Sequence, residues 1–378
     1  MKRITSNNPK QELLKYLVIM MWLVITTSCT EDSELPNQLP EKIANYLEST
    51  QAENQPGLSI LIKHQGNVIY SGSKGLARVE GSVALDEHTG FRVGSITKPI
   101  TAVAIMQLVE SDKLALNDKL LHFLPDLPES FSEITIAHLL SHQAGLRDYI
   151  NDNGNLAALN NVTTTQILDL IPGSGLDQLL FAPGTAGKYS NTGYVFLALI
   201  IEQVTGLSYP EYLQANIFEP AGMSDSFVIS EKQHMGDINE DYALSFGMNL
   251  KVLGFNSLLY GGSGVVSSTS DLSLFVSALH KGELISKQSL ESMTQSRASL
   301  PEMADYGLGW LTGTGIYWHT NKYSGKNDYW HTGGFDGYRT VLSINPDLGL
   351  EIIILTNNGD KSQQQMYDII EITRDYLL

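Results

Sequence analysis

The order of apolar and polar positions predicts strands at both ends of the chain and helices between them. Residues 57–62 and 68–70 are apolar runs on either side of Gln65-Gly66, which is typical of a β-hairpin. Residues 338–344 and 350–355 are further predicted strands, the second because of its apolar run. Apolar residues at helical spacing occupy residues 41–48, 100–108, 192–205, 209–217, 271–281 and 362–377.

This order favours an α+β fold, in which both chain ends supply an antiparallel sheet flanked by helices. A mainly helical insertion is predicted at about residues 113–255. The 378 residues are enough for a large core and more than one lobe. The formal net charge of −17 argues against a nucleic-acid partner, which needs a basic face. The nine histidines lack a metal-binding spacing such as H-E-x-x-H, so we expect neither a metal nor a cofactor.

Ser95 and Lys98 carry the strongest chemical indication. They lie three residues apart where a helical pattern begins, so their side chains share one face. Backbone N–H groups at a helix N-terminus favour a developing oxyanion, and a desolvated lysine can take the proton of a serine hydroxyl. The pair predicts a serine acyl-transfer site. Ser71 and Lys74 repeat the spacing, but in strand and turn structure such positions do not reliably share a face.

Two more motifs follow in order: Tyr189-Ser190-Asn191, and His331-Thr332-Gly333-Gly334. Each has a second copy, Tyr149-Ile150-Asn151 and His88-Thr89-Gly90, which we interpret as structural. The first copy lies in a loop-rich segment, and the second precedes Ser95 by only a few residues. Taken singly, a tyrosine, a histidine or a glycine pair is more often a packing or turn residue. The joint order of the three motifs argues against that interpretation.

The three motifs resemble those of the penicillin-recognising serine hydrolases: class C β-lactamases, DD-carboxypeptidases, and related esterases and D-amino-acid peptidases. The resemblance covers roughly residues 55–360 and includes residues 139–146, 261–268 and 306–310. It implies a β-lactamase/transpeptidase-like fold. Trp310, in the last of these segments, is predicted to belong to the core rather than to the substrate wall.

The resemblance implies a role for each matching residue. Ser95 would be the acylated nucleophile, with Lys98 and Tyr189 together as general base; which of these two takes the proton first stays open. Asn191 would orient the lysine and a substrate amide. The backbone N–H groups of Ser95 and Gly334 would form an oxyanion hole.

The third motif departs from the β-lactamase pattern, because His331 stands where those enzymes usually carry lysine. Histidine at this position is similar to several DD-peptidases, esterases and D-amino-acid peptidases. Its charge near neutral pH is less permanent than that of lysine, which disfavours β-lactamase activity. His331, Thr332, Gly333 and Gly334 are the predicted substrate-binding edge, where the Thr332 hydroxyl would bind a carboxylate or carbonyl.

The expected function is therefore an exported serine hydrolase that forms an acyl-enzyme on Ser95 and hydrolyses an amide or ester. D-amino-acid or peptidoglycan-type peptides and small esters are the candidate substrates. Two alternatives stay open: a true β-lactamase, and a non-catalytic ligand receptor on the same fold. A receptor has no need of a base, so the second alternative is disfavoured by the presence of Ser95, Lys98, Tyr189 and His331.

Residues 1–28 are predicted to be a signal peptide, because four basic residues precede an apolar run at 16–25 that is too short to cross a bilayer. Cys29, the single cysteine, resembles the lipid-modified cysteine of a bacterial lipoprotein, although Thr26 stands where leucine is usual. Residues 29–54 are predicted to be a lipid-anchored tether and the start of the first helix, and residues 55–378 the hydrolase domain. The predicted partners are a small-molecule or peptide substrate and a membrane, reached through the lipid on Cys29.

Overall fold

The computed structural model describes residues 35–78, 82–152, 162–229, 259–301, 303–313, 327–335 and 337–377. The predicted signal peptide, Cys29, and residues 230–258 of the predicted insertion lie outside these ranges. No helix in the described ranges is long and apolar enough to span a membrane. The same ranges contain no cluster of three or more histidine, cysteine or acidic side chains that could hold a metal.

One eight-stranded antiparallel sheet, built from both ends of the chain, forms the frame of the molecule. Its strands follow the order β2-β1-β13-β12-β11-β10-β9-β8. They are β1 (Leu58–His64), β2 (Asn67–Lys74), β8 (Ala298–Ser299), β9 (Asp305–Tyr306), β10 (Leu311–Thr312), β11 (Tyr329–Phe335), β12 (Tyr338–Asn345) and β13 (Leu350–Thr356). The first and last strands, β1 and β13, pair along their whole length, from Leu58 opposite Thr356 to His64 opposite Leu350.

Both faces of this sheet are covered, which explains the apolar run of residues 352–355 in β13. Alternate side chains of a strand point to opposite faces. Ile352 and Ile354 pack in a cluster with the two terminal helices, α1 (Leu35–Thr50) and α11 (Gln363–Leu377). Ile353 and Leu355 pack in the larger core formed with the other helices.

The remaining helices lie between the two halves of the sheet in sequence. They are α2 (Thr97–Glu110), α3 (Leu120–Phe123), α4 (Ile136–Leu140), α5 (Ile167–Leu170), α6 (Asn191–Thr205), α7 (Tyr209–Leu213), α8 (Glu219–Ala221), α9 (Thr269–Lys281) and α10 (Lys287–Thr294). Two small sheets complete the described fold. One pairs β3 (Leu76–Arg78) with β4 (Val83–Ala84), and the other orders β5 (Phe91–Arg92), β7 (Val265–Ser267) and β6 (Phe227–Val228).

The predicted α+β class and the sheet built from both chain ends are confirmed. Two helix boundaries differ from the sequence prediction. Helix α1 begins at Leu35 rather than near residue 41, because Leu39 already belongs to the buried stripe that covers the sheet. The helix predicted at 209–217 ends as α-helix at Leu213 and continues as a π-turn over Gln214–Phe218.

Candidate active site

Ser95 lies in a 3-10 turn, Gly94–Ile96, between strand β5 and helix α2. The sequence placed Ser95 at the helix start, whereas α2 begins at Thr97. Gly94 adopts φ +55°, a left-handed conformation that glycine tolerates. A Cβ atom on Gly94 would lie 2.9 Å from the backbone nitrogen of Gly334, so this turn packs directly against β11. Ser95 is the partly exposed residue of the turn, between buried neighbours.

Lys98 is fully buried and uses all three of its donor positions. Its Nζ donates to Ser95 Oγ at 3.1 Å, to Asn191 Oδ1 at 2.7 Å and to the Gly262 carbonyl at 2.9 Å. Burial lowers the pKa of Lys98 to about 7, and the charge of Asp148 opposes that change. The neutral amine is therefore well populated near neutral pH, as a base for the serine requires.

Tyr189 precedes helix α6, and its ring centroid lies 4.7 Å from Lys98 Nζ. Burial of the phenol raises the pKa of Tyr189 well above its usual value, and only its hydrogen bond with Ser95 favours the phenolate. The charge of Asp148 raises that pKa further. Tyr189 is consequently a neutral phenol in hydrogen-bond contact with the serine.

Asn191, the first residue of α6, connects Lys98 to a buried carboxylate that the sequence did not single out. Asp148 is fully buried, and its Oδ2 accepts from Asn191 Nδ2 at 2.8 Å and from the Asn191 backbone N–H at 2.6 Å. Its position directly before Tyr149, within two residues of the 139–146 segment, was the available indication. Spacing alone gives no reason to connect it with Lys98.

His142 is a second residue that sequence reasoning missed as part of the site. It is buried, and its Nδ1 accepts the Ser190 N–H at 3.2 Å. Its ring centroid lies 4.3 Å from that of Tyr189 and 4.5 Å from that of Tyr306. Burial holds the pKa of His142 well below its usual value, so it packs against Tyr189 as a neutral ring.

His331, on β11, is 1% exposed and has both ring nitrogens engaged. Nδ1 lies 2.7 Å from the Thr332 carbonyl, and because a carbonyl only accepts, Nδ1 carries the proton. Nε2 then accepts from the Tyr306 hydroxyl at 3.1 Å. Burial, together with the charge of the nearby Lys98, lowers the pKa of His331 to about 3. The imidazole is thus neutral, and its ring centroid lies 6.3 Å from that of Tyr189.

The two glycines of the third motif differ in their surroundings. A Cβ atom on Gly333 would lie 2.0 Å from the Val93 carbonyl oxygen and 2.2 Å from Thr340 Oγ1. That hydroxyl donates to the same Val93 oxygen at 2.9 Å, so only glycine lets β11 approach the nucleophile turn this closely. Gly334 is exposed, and a Cβ atom there would meet only the Arg339 side chain.

The repeated motifs lie elsewhere, with one exception. Lys74 belongs to β2 and forms an ion pair with Glu48 at 2.6 Å, and His88 is a surface residue bonded to Asp225 at 2.9 Å. Tyr149 lies beside the site: its backbone N–H donates to Thr192 Oγ1, and it influences Tyr189 electrostatically. Trp310 is fully buried, which confirms its prediction as a core residue.

A cavity of about 690 Å³ adjoins Tyr189. Its lining includes the ion pair between Lys188 and Asp152, 2.9 Å apart. The apolar lining residues are Phe181, Ala186, Leu300, Pro301 and Met303. The cavity offers a partly apolar space with charged groups beside Tyr189.

The antiparallel sheet and the serine–lysine–tyrosine cluster are those of a β-lactamase fold. The chain belongs to the β-lactamase family, whose sequence profile, Beta-lactamase, matches residues 43–374. This confirms the resemblance to penicillin-recognising serine hydrolases.

Individual relatives agree with this assignment. The chain is 34% identical over 272 residues to penicillin-binding protein 4* of Bacillus subtilis (strain 168), covering 67% of this chain and 59% of that protein. The octameric penicillin-binding protein homologue from Pyrococcus abyssi superposes with a TM-score of 0.72 at 25% identity, covering 89% of this chain and 77% of the other.

A D-amino acid amidase from Ochrobactrum anthropi SV3, solved with L-phenylalanine amide, shares the fold with a TM-score of 0.69 at 23% identity. That match covers 90% of this chain and 98% of the amidase. The chain spans less than two thirds of the length of the curated relatives that it matches.

Proposed function

We propose that the protein is an exported serine hydrolase that forms an acyl-enzyme on Ser95 from an amide or ester substrate. The observation that carries the proposal is the contact between Lys98 Nζ and Ser95 Oγ at 3.1 Å, made by a lysine that burial keeps partly neutral. A neutral amine at hydrogen-bond distance can accept the serine proton as the hydroxyl oxygen attacks a carbonyl carbon.

Lys98 is the first proton acceptor in this proposal, and Tyr189 is the relay. The tyrosine is a neutral phenol, so it cannot accept the proton, but it can pass one on. It donates its own proton to the leaving amine or alcohol and regains one from the Lys98 ammonium. In deacylation a water molecule attacks the ester on Ser95, and the same groups move its proton back to the serine oxygen.

The backbone N–H groups of Ser95 and Gly334 form the oxyanion hole in this proposal. Phe335 and Tyr338 face each other across a two-residue connection, and such a flanking pair exchanges both of its ladder hydrogen bonds. The neighbouring N–H of Gly334 is then directed away from β12. Its nitrogen faces the nucleophile turn at Gly94, which supports this assignment. Each such donor is typically worth about 3 kcal/mol of transition-state stabilisation.

D-amino-acid peptides or amides, or small esters, are the substrates that the site favours. The neutral and fully engaged His331 offers no cation to a substrate carboxylate, which disfavours a true β-lactamase. The apolar lining of the cavity next to Tyr189 suits an uncharged side chain beside the scissile bond. The similarity in fold to a D-amino acid amidase supports the same substrate class.

Export and membrane attachment are a separate part of the proposal. They rest on the basic and apolar pattern of residues 1–28 and on Cys29 as the lipid-bearing residue. Incorporation of a labelled fatty acid that is lost in Cys29→Ser supports attachment at this cysteine. Equal incorporation in both proteins rejects it.

A panel of four substrates, assayed on one preparation with Ser95→Ala as control, tests the enzymatic proposal. The panel is a D-Ala-D-Ala peptide, an anilide of an apolar D-amino acid, a short-chain aryl ester and a chromogenic cephalosporin. We expect kcat/KM for the anilide or the ester to exceed that for the cephalosporin by at least about 100-fold. The cephalosporin as best substrate indicates a β-lactamase, whereas binding without turnover indicates a receptor.

A further inference from the structure

We propose that Asp148 is a positioning residue of this active site: its buried carboxylate fixes the orientation of the Asn191 side chain and favours the charged form of Lys98. The proposal deepens the proposed function and rests on Ser95 as the nucleophile. It assigns a role to a residue that belongs to none of the three sequence motifs.

The carboxylate of Asp148 is saturated by donors from two segments of chain. Its Oδ2 accepts two hydrogen bonds from Asn191, at 2.6 and 2.8 Å. Its Oδ1 accepts the backbone N–H groups of Ile150 at 2.7 Å and Asn151 at 3.1 Å. Asp148 therefore ties the loop that contains it to the first residue of α6.

This contact decides which way the Asn191 amide faces. A carboxylate only accepts, so the NH2 group of the amide must face Asp148. The oxygen is then the atom presented to Lys98, where it accepts from Nζ at 2.7 Å. A reversed amide would place two donors against the lysine donors, and Nζ would lose one of its three partners.

The same carboxylate is the charge that counteracts the burial of Lys98. The other titratable groups near Nζ are Tyr189 and Tyr194, with ring centroids at 4.7 and 5.4 Å, and the rings of His142 and His331. Burial raises the pKa of both tyrosines and lowers that of both histidines, so all four are neutral near neutral pH. Asp148 acts in the opposite direction to burial and favours the lysine ammonium.

The test measures the rate constant of Ser95 labelling by a fluorophosphonate from pH 5 to 10. This reaction needs the nucleophile and its base but no particular substrate. The rate rises with pH as Lys98 loses its proton, and this rising part of the profile is its acidic limb. In Asp148→Asn the ammonium loses its counter-charge, so we expect the acidic limb to move about 1 pH unit lower. The ratio of the rates at pH 6 and pH 9 then rises about fivefold, while the plateau rate falls because Asn191 is no longer held. Asp148→Ser is the second neutral variant, and its small side chain leaves room for water.

Two further variants separate charge from packing. Asp148→Glu keeps the charge, so its limb should stay close to that of the wild type even if its plateau is lower. Asp271→Asn is the matched control, since Asp271 is also buried and accepts from Ser226 and the Asp225 backbone, on α9 outside the site. It should lose stability without moving the limb.

An unshifted limb in both neutral variants of Asp148, with only slower labelling, overturns the proposal and leaves Asp148 a structural residue. A downward shift in either of them supports it. A wild-type protein that the fluorophosphonate does not label at Ser95 rejects the proposed function itself, together with this inference.

Discussion

At the scale of single residues, the burial of Lys98 is the property on which the proposed chemistry depends. The sequence places Ser95 and Lys98 one helical turn apart, but it cannot say how far each is removed from water. Desolvation depends on the Gly262 carbonyl, the Asn191 side chain and other groups from distant positions that enclose the amine. This burial is the reason for proposing Lys98 rather than Tyr189 as the first proton acceptor, a choice that the motifs left open.

Replacing Lys98 with methionine should therefore abolish acylation and stabilise the fold at low pH. Burial lowers the pKa of Lys98 from 10.5 to about 7, so between these values the unfolded chain binds a proton that the native protein does not. The native state is thus penalised below pH 7, and the penalty fades as pH rises towards 10. We expect Lys98→Met to gain about 1–3 kcal/mol in free energy of unfolding at pH 6, after loss of three hydrogen bonds.

Denaturant unfolding of wild type and variant at pH 6, 8 and 9.5 measures this difference. The gain should shrink at each step. Lys74→Met is the matched control, because Lys74 has the same spacing from a serine but lies in a surface strand paired with Glu48. Its effect should be small and constant over this pH range. A Lys98→Met variant that is less stable at pH 6 than at pH 9.5, relative to wild type, contradicts the account.

At the scale of elements, the site exists because strand β11 and the nucleophile turn touch without side chains between them. The double glycine of the third motif was recognisable in the sequence only through its resemblance to a family. Glycine is required at Gly333 because a Cβ atom there would lie 2.0 Å from the Val93 oxygen. These two residues are far apart in the chain, so this close approach cannot be inferred from the local sequence.

Gly333→Ala and Gly334→Ala form a matched pair that tests this contact. The Gly333 methyl group would force β11 away from the turn, so we expect a loss of about 2–3 kcal/mol in free energy of unfolding. Displacing the Gly334 N–H should also lower kcat by about 100-fold, the effect of one lost oxyanion donor. In Gly334→Ala the methyl group meets only the flexible Arg339 side chain, and stability and kcat should change little. Equal changes in stability and kcat in the two variants would show that the close approach of Gly333 to Val93 is unimportant.

At the scale of the whole molecule, the hydrophobic pattern was sufficient to predict an α+β fold with a sheet from both chain ends. The long apolar run in β13 and the long amphipathic helix α9 are recognisable in the sequence. Elements of two residues, such as β8, β9 and β10, are too short to show a pattern, and they form only by pairing with neighbouring strands. Asp148 and His142 were missed for the same reason, since only the folded chain brings them to Lys98 and Tyr189.

The most direct test of Ser95 as the nucleophile is to find where a covalent inhibitor or a substrate acyl group becomes attached. Intact-protein mass spectrometry after fluorophosphonate treatment, followed by peptide mapping, should show a single adduct on Ser95. Ser95→Ala should carry no adduct while unfolding at the same denaturant concentration, and Ser71→Ala should be labelled like the wild type. An adduct that persists in Ser95→Ala, or that maps to Ser71, would contradict the assignment of Ser95 as the nucleophile.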